Sequence, residues 1–420
     1  MENQEKYSAF RRAYPVFYYH GFSLSQEGKA LCVRYDFEIE NLCRFRPTLR
    51  IDTAALQIKN APDSQAAQRM LFSLGMVELI SYWKCACPPR VVVECGGLDE
   101  ADCAFWKKLY FNGLGEFFYR NGIEADYDTF LPQNRLFMVN FQEARNQCAL
   151  AAGYTEGDMI HVFRTIDPAL LERNREGFFN GHTPFSAIVA FLSFYTAYLI
   201  GAEHIVLSNE SSANEGNLSG TSVNHQYSKS FAFEHDFQQY AHKNLMPDIH
   251  YFSLLRPFNE LQIAKYFATL PQYHAVFRSC NVGSKRNVWC RNCAKCLFVY
   301  GILSPFLPSE RLSAIFGENL LEKDGLQEIF DGLVGFSPLK PFECVGTQEE
   351  LCFALALTAR QYRARGEVLP ALLQSFTQRA DWAALVSDDR LLSAWNPQHE
   401  IPAVFQPYIK EMHDYAAGIA

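Results

Sequence analysis

Apolar and polar positions alternate along the first fifty residues. FYYHGFSL, ALCVRYDFEIE and FRPTLRI carry aromatic or aliphatic residues at nearly every second place, and Gly and Asn break the runs. A period of two predicts a small antiparallel sheet. The period then changes. MLFSLGMVELISYW (Met70 to Trp83) predicts an amphipathic helix, VVVECGG a further strand, and CAFWKKLYFNGLGEFFYRNG an aromatic-rich helical segment. From Arg135 the order is RLFMVN (strand), EARNQCALAAG (helix closing on Gly153), MIHVFRT (strand), a long apolar helix, and HIVLSN (strand). Strands alternating with helices predict a parallel sheet covered on both faces. Beyond about Pro308 the chain reads as helical, with a loop at SPLKPFECVGT. The expected class is therefore α/β, in three parts: an N-terminal β-rich α+β region (1–127), an α/β domain with a central parallel sheet (128–306), and a helical C-terminal region (307–420).

The stretch from Thr183 to Ala202 has no formal charge and approaches the length of a membrane span. It also carries Ser186, Ser193, Thr196 and two tyrosines, and it runs straight into a strand, so it reads as a core helix. Of 420 residues, 49% are hydrophobic, enough for sizeable cores. Lys and Arg number 38 against 46 Asp and Glu, a formal charge of −8, which argues against a nucleic-acid-binding face. The charged opening MENQEKYSAFRR has no apolar leader. With it, thirteen cysteines read as cytoplasmic thiols and a metal site, not as a disulfide framework.

In parallel sheets ligands bind beyond the carboxyl ends of the strands. Arg164, Thr165 and Asp167 follow one such strand. Ser208, Asn209, Glu210, Asn214 and Glu215 follow another, in HIVLSNESSANEG. Glu210 and Glu215 could hold Mg²⁺ or a ligand amine, whereas a solvated loop capping the next helix would use the same Ser and Asn residues. His182 and Thr183 (NGHTPFSA) precede the apolar helix, whose N-terminus would favour an anion. His225 and Lys229 (VNHQYSK) suit phosphate or carboxylate, or simply begin a helix. Arg278, Ser284 and Lys285 (RSCNVGSK) surround a Gly and also suit an anion. Sharpest is Cys280, Cys290, Cys293 and Cys296, spaced C-x9-C-x2-C-x2-C. Two C-x2-C turns bring thiolates to one tetrahedral Zn²⁺, and four of them leave no open position, which makes the site structural. Buried thiols or an Fe–S cluster are the alternatives.

NGHTPFSAIVAFLS, LSNESSANEG, VNHQYSKSFAFEHDF, LRPFNELQIAK, FRSCNVGSK, WCRNCAKCLFVY and KPFECVGT, with FWKKLYFNGLGEFFYRNGIEADYDTFLP before them, together resemble the MurL-type UDP-N-acetylmuramoyl-L-alanyl-L-glutamate epimerases. The likeness runs from about residue 15 to residue 350. It implies an ATP-pyrophosphatase-like central domain and an ATP- and Mg²⁺-dependent enzyme of peptidoglycan precursor synthesis. Its substrate would be UDP-MurNAc-L-Ala-L-Glu, whose terminal L-glutamate is inverted through an acyl adenylate. On that reading the acid and base come from His182, His225, Glu210 and Glu215, and Lys229 and Arg278 meet phosphate or carboxylate. The sequence departs from the pattern once. The first strand, the GGGKDS-type loop and its helix are missing between Gln133 and Asn134. Either this sequence omits a segment that the native protein has, or the homologue has lost ATP binding. The first fits better, since losing a central strand would strip a buried sheet of its pairing. VVVECGGLDEAD is no substitute, because it precedes the FWKKLYFNGLGEFFYRN segment that the family's loop follows.

Two other readings stay open. One is an ATP-pyrophosphatase ligase that amidates or thiolates its substrate, since the Cys-rich segment also resembles the zinc-binding tail of the deazaguanine nitrile synthases. The other is a homologue that binds the nucleotide-sugar peptide without converting it. Oligomeric state is not legible in the sequence.

Overall fold

The computed structural model describes residues 3–54, 56–125, 142–181, 183–211, 227–280, 282–283, 286–337, 345–386 and 390–418. The chain forms two compact units. The first comprises residues 1–137, 157–207 and 216–252, and the second residues 138–156, 208–215 and 253–420.

The first unit is built on the alternating N-terminal sequence. β1 (Val16–Glu27), β2 (Ala30–Ile39), β3 (Cys43–Phe45) and β4 (Thr48–Asp52) pair antiparallel around β2, as the period of two predicts. In β2 Leu31, Val33, Tyr35, Phe37 and Ile39 are buried, while Arg34, Asp36 and Glu38 face outward between them. β5 (Arg90–Val93) adds parallel to β1, but only along Val16 to Tyr19, so the rest of that edge of β1 extends past it. β1 also slips phase. The register passes from Tyr19–Phe37 to Gly21–Asp36, which leaves His20 as an extra residue in a bulge. His20 and Gly21 therefore both point outward, and the inward sequence Phe17, Tyr19 resumes at Phe22, Leu24.

Around this sheet lie α1 (Asn3–Ala13), α2 (Gln65–Glu78), α3 (Ile80–Trp83), α4 (Glu100–Gly113) and α5 (Gly115–Asn121). Ser64 caps α2 by accepting from the Ala67 N–H. The helix then buries Met70 through Glu78 without a break. The close approach of α2 to β1 depends on Gly75, where an added Cβ would lie 2.0 Å from the Tyr19 hydroxyl and 2.8 Å from the Tyr35 ring. Both rings are fully buried and cannot retreat. Gly75→Ala is thus expected to destabilise the protein by about 1–3 kcal/mol, read as a lower urea midpoint at unchanged slope. An unchanged midpoint would mean that the contact is softer than it looks.

One strand sits elsewhere than the alternation suggests. MIHVFRT was expected in a parallel sheet, but its strand β6 (Val162–Thr165) runs antiparallel to β4, in the register Thr48–Thr165 and Ile51–Val162. The outer edge of β4 offers free N–H and C=O groups, and Arg164 finds its carboxylate partner under the same sheet, so both backbone and side chain favour this place. β7 (His204–Leu207) pairs with β8 (His250–Ser253) in a separate two-stranded sheet. The strand expected at RLFMVN lies outside the described residues.

α6 (Gln142–Ala151) follows the expected EARNQCALAAG helix, and Gly153 takes φ 91° behind it. It belongs to the second unit. α7 (Pro168–Arg175), α8 (Phe185–Ile200) and α9 (Phe231–Asn244) belong to the first. α8 is the expected apolar helix, ended by Gly201 in the left-handed region. Among the described residues no helix is long and apolar enough to cross a membrane. The rest of the second unit is helical: α10 (Glu260–Phe267), α11 (Ala294–Leu303), α12 (Ser309–Phe316), α13 (Gln327–Leu333), α14 (Gln348–Arg365), α15 (Ala371–Arg379), α16 (Trp382–Leu385) and α17 (Gln406–Ala417). Leu297, Leu303, Leu351, Leu355 and Phe376 share its core. The mixed α/β class, with strands leading and helices closing the chain, is the one predicted.

Candidate functional site

The four cysteines converge. Cys280 Sγ lies 3.9 Å from Cys293 Sγ, Cys290 Sγ 3.7 Å from Cys296 Sγ, and Cys293 Sγ 3.6 Å from Cys296 Sγ. All four sulfurs fall within 4.8 Å of one another. Sulfurs at the corners of a tetrahedron, each about 2.3 Å from a central ion, would be about 3.8 Å apart. Local backbone makes this possible. Arg291, between two of the ligands, takes φ 64°, and Cys293 stands at the N-cap of α11, so Cys296 falls on its first turn. Gly283 closes the loop so tightly that a Cβ would meet the Val288 carbonyl oxygen at 1.9 Å.

The same loop turns N–H groups onto sulfur. Gly283 and Cys290 donate to Cys280 Sγ at 3.1 and 3.3 Å, and Asn292 donates to Cys290 Sγ at 3.4 Å. Hydrogen bonding from Cys293 and Cys296, with these backbone donors, holds the Cys280 thiol far below its ordinary pKa. Hydrogen bonding to Cys280 raises Cys293 and pushes Cys296 up to about 12. Four thiolates this close repel one another unless a cation neutralises them, so the donor set suits a thiophilic metal ion.

The polar stretch after β7 is partly held by its own unit. Asn209 Nδ2 donates to Ser253 Oγ at 3.0 Å. Arg256, fully buried, donates from Nη1 to the Glu210 carbonyl at 2.8 Å, and the Ser211 N–H donates to the Phe258 carbonyl at 3.0 Å. Glu350, at the N-terminus of α14, accepts from the Glu260 N–H at 2.8 Å and from the Thr347 N–H. Burial raises the Glu350 pKa, the two backbone donors oppose the rise, and the nearby Glu210 carboxylate adds to it. Ser208 follows β7 directly. Asn214, Glu215 and His225 lie outside the described residues. The sequence reading did not single out Arg256, although an Arg-Pro pair inside LLRPFNELQIAK was available as a signal.

Thr183 is buried two residues ahead of α8, and its Oγ1 has no hydrogen-bond partner among the described residues. His182 lies outside the described residues, as do Ser284 and Lys285. Lys229 is half-buried on a single 3₁₀ turn (Tyr227–Lys229) leading into α9, whose N-cap Ser230 accepts from Phe233. Arg278 donates from Nη1 to the Ala275 and Phe277 carbonyls, and burial lowers its pKa. Arg164 is turned inward. Its Nε and Nη2 bond both oxygens of Glu78 at 2.7–2.9 Å, and Nη2 also bonds Ser81 Oγ at 2.7 Å. The side chains of Arg164 and Glu78 are 6% and 1% exposed, which makes them a buried ion pair.

Comparison with known proteins adds to this geometry. The MurL N-terminal domain matches residues 9–134 and 130–254, and the MurL C-terminal domain matches residues 276–387. The two N-terminal matches overlap at residues 130–134, which include the junction between Gln133 and Asn134. The UDP-N-acetyl-alpha-D-muramoyl-L-alanyl-L-glutamate epimerase of Xanthomonas oryzae pv. oryzae is 34% identical over 71% of this chain and 76% of its own length. Epimerases of the same name from a Micromonospora species and from Salinispora tropica are 33% and 32% identical. They cover 82% and 74% of this chain and 86% and 78% of their own lengths. No solved structure matches the chain significantly.

Proposed function

The chain belongs to the MurL family, and we propose from this that it epimerises the terminal glutamate of UDP-MurNAc-L-Ala-L-Glu, a step of peptidoglycan precursor synthesis. The observation that carries the reading is the collinear match of both family domains, joined to relatives of that name at 32–34% identity over most of the chain.

The chemistry needs an activated carboxyl group, because the Cα–H beside a carboxylate is too weak an acid for a side-chain base. ATP supplies the activation. The α-carboxylate attacks the α-phosphorus, pyrophosphate leaves, and the acyl adenylate makes the Cα–H far more acidic. A base removes that proton, an acid returns one on the opposite face, and water cleaves the acyl–phosphate bond to give D-glutamate and AMP. His182, His225, Glu210 and Glu215 are the candidates for acid and base, and Glu210 is also a candidate for Mg²⁺. Lys229, Arg278, Lys285 and Ser284 suit the phosphates, with Thr183, Ser208, Asn209 and Asn214 as polar contacts. We assign Zn²⁺ to Cys280, Cys290, Cys293 and Cys296, in a closed and purely structural shell. The 3.6–3.9 Å sulfur spacings support that assignment.

A second reading is favoured by the break in the match at residues 130–134, where a phosphate-binding loop is expected. On this reading the chain binds the nucleotide-sugar peptide without converting it. One experiment separates the two. The purified chain is incubated in D₂O with ATP, Mg²⁺ and UDP-MurNAc-L-Ala-L-Glu, and the glutamyl Cα is followed by mass and chirality. Catalysis is expected to give deuterium at Cα, D-glutamate and AMP together. Unlabelled L-glutamate and unchanged ATP, from a protein that still binds the substrate in calorimetry, would sink catalysis in favour of binding alone.

A further inference from the structure

The N-terminal sheet carries a site that the family match does not assign. Beyond the end of β5 the edge of β1 borders an open cleft of about 860 Å³, closed by the N-terminal turns of α2, the last residues of α9 and the Gly96-Gly97 turn. Its lining is rich in amides. The side chains of Gln65, Gln68 and Asn244 face it without a hydrogen-bond partner among the described residues, next to the ring of Phe72. A second cleft of about 270 Å³ opens on the outer face of the sheet, lined by Arg34 and Arg46. Neither guanidinium has an ion-pair partner among the described residues, and both are exposed. His20, Gly21 and Phe22, the residues of the β1 bulge, line both clefts.

The charges near the bulge are mixed. His20 lies between two carboxylates, with Nδ1 2.7 Å from Glu94 and Nε2 3.1 Å from Glu38. Arg44 bonds both Asp36 oxygens at 2.6 Å. In the larger cleft Arg69 is paired with Asp102 at 2.8 Å, and Lys243 with Asp99 at 2.6 Å. Of the cations lining the two clefts, Arg34 and Arg46 are the ones with no ion-pair partner among the described residues. Amides in one lobe suit sugar hydroxyls, an acetamido group or a uracil edge. Two unpaired guanidiniums in the adjoining lobe suit a diphosphate.

We propose that the two lobes together bind a nucleoside-diphosphate sugar, with the diphosphate on Arg34 and Arg46 and the sugar or base among Gln65, Gln68 and Asn244. The inference rests on the reading of the substrate as a UDP-muramoyl peptide and gives that substrate's nucleotide end a place. The bulge explains why the site lies here, since only an extra residue in β1 lets two successive residues, His20 and Gly21, face the outer side.

Calorimetry on the full chain with UDP-N-acetylmuramic acid tests it, with ATP titrated separately. The double variant R34A/R46A alters two exposed side chains and should keep its thermal midpoint. It is expected to bind the UDP-sugar at least about 10-fold more weakly while its ATP titration matches that of the unaltered chain. Gly97→Trp gives a second approach, because a Cβ there meets nothing within 4 Å and the indole would fill the larger lobe without straining the loop. It should also abolish UDP-sugar binding. If the unaltered chain binds no UDP-sugar, the functional reading itself fails. If it binds and neither change weakens it, the site is overturned and the functional reading stands.

Discussion

Replacing Cys293 by serine is expected to remove the bound metal and, with it, the fold around α11. Cys293 lies 3.9 Å from Cys280 and 3.6 Å from Cys296, so its loss leaves three thiolates that no longer close a tetrahedral shell. Cys280 and Cys296 are fully buried, and Trp289 and Leu297 pack in the same core. Structural Zn²⁺ contributes about 10–16 kcal/mol of apparent binding free energy in small zinc domains. That is comparable to the about 5–15 kcal/mol by which an ordinary domain is stable. Elemental analysis of the unaltered protein should give one zinc per chain, and C293S none, with the variant insoluble or its thermal midpoint lowered by well over ten degrees, on the order expected for several kcal/mol. A strong chelator should produce the same drop in the unaltered protein. A metal-free chain with an unchanged midpoint would show that the four thiols are ordinary core residues.

Truncating Arg164 to alanine should cost about 3–5 kcal/mol, because it strands a carboxylate in the core. Glu78 is 1% exposed, and both its oxygens accept from Arg164. Burial by itself works against the guanidinium's charge, but Glu78 outweighs it by charge and hydrogen bonding, and the Arg164 pKa is raised. The pair therefore has a sign that can be checked. Glu78→Met alone should be as damaging as Arg164→Ala. The double change R164M/E78M should lose much less than the two single losses added, since it leaves no lone charge. Urea unfolding of the four proteins measures the coupling. Additive losses would mean that water reaches the pair and that its burial is only apparent.

Much of the fold was legible because its causes are local. The period of two in ALCVRYDFEIE requires one apolar face, and Leu31 through Ile39 supply it. Helix ends follow from residues next to them, as with Ser64 before α2, Thr347 before α14, and Gly201 after α8. The zinc-type spacing was legible for a similar reason. Two C-x2-C turns bring thiols together whatever surrounds them, and only Cys280 had to arrive from farther away.

Arg164 shows where that kind of reading stops. Its position after a strand made it a ligand-binding candidate, but Glu78 lies 86 residues earlier, and nothing within the strand announces the partner. β6 itself joined the antiparallel sheet, because hydrogen-bonding edges are chosen among all available strands and not by order in the chain. Arg256 went unremarked in LLRPFNELQIAK until the carbonyl of Glu210 and the hydroxyl of Ser253 were seen beside it.

By itself, then, the sequence determined many of the strands and helices among the described residues, the four-thiolate cluster, and the family, since each depends on residue type at short spacing or on collinear similarity. Only the tertiary structure decided that Arg164 is buried and that Gly75 must stay small. It also decided that a bulge at His20 brings Arg34, Arg46 and three amides with no hydrogen-bond partner among the described residues around two adjoining clefts. Those outcomes depend on distance through space, which the order of residues along the chain does not encode locally.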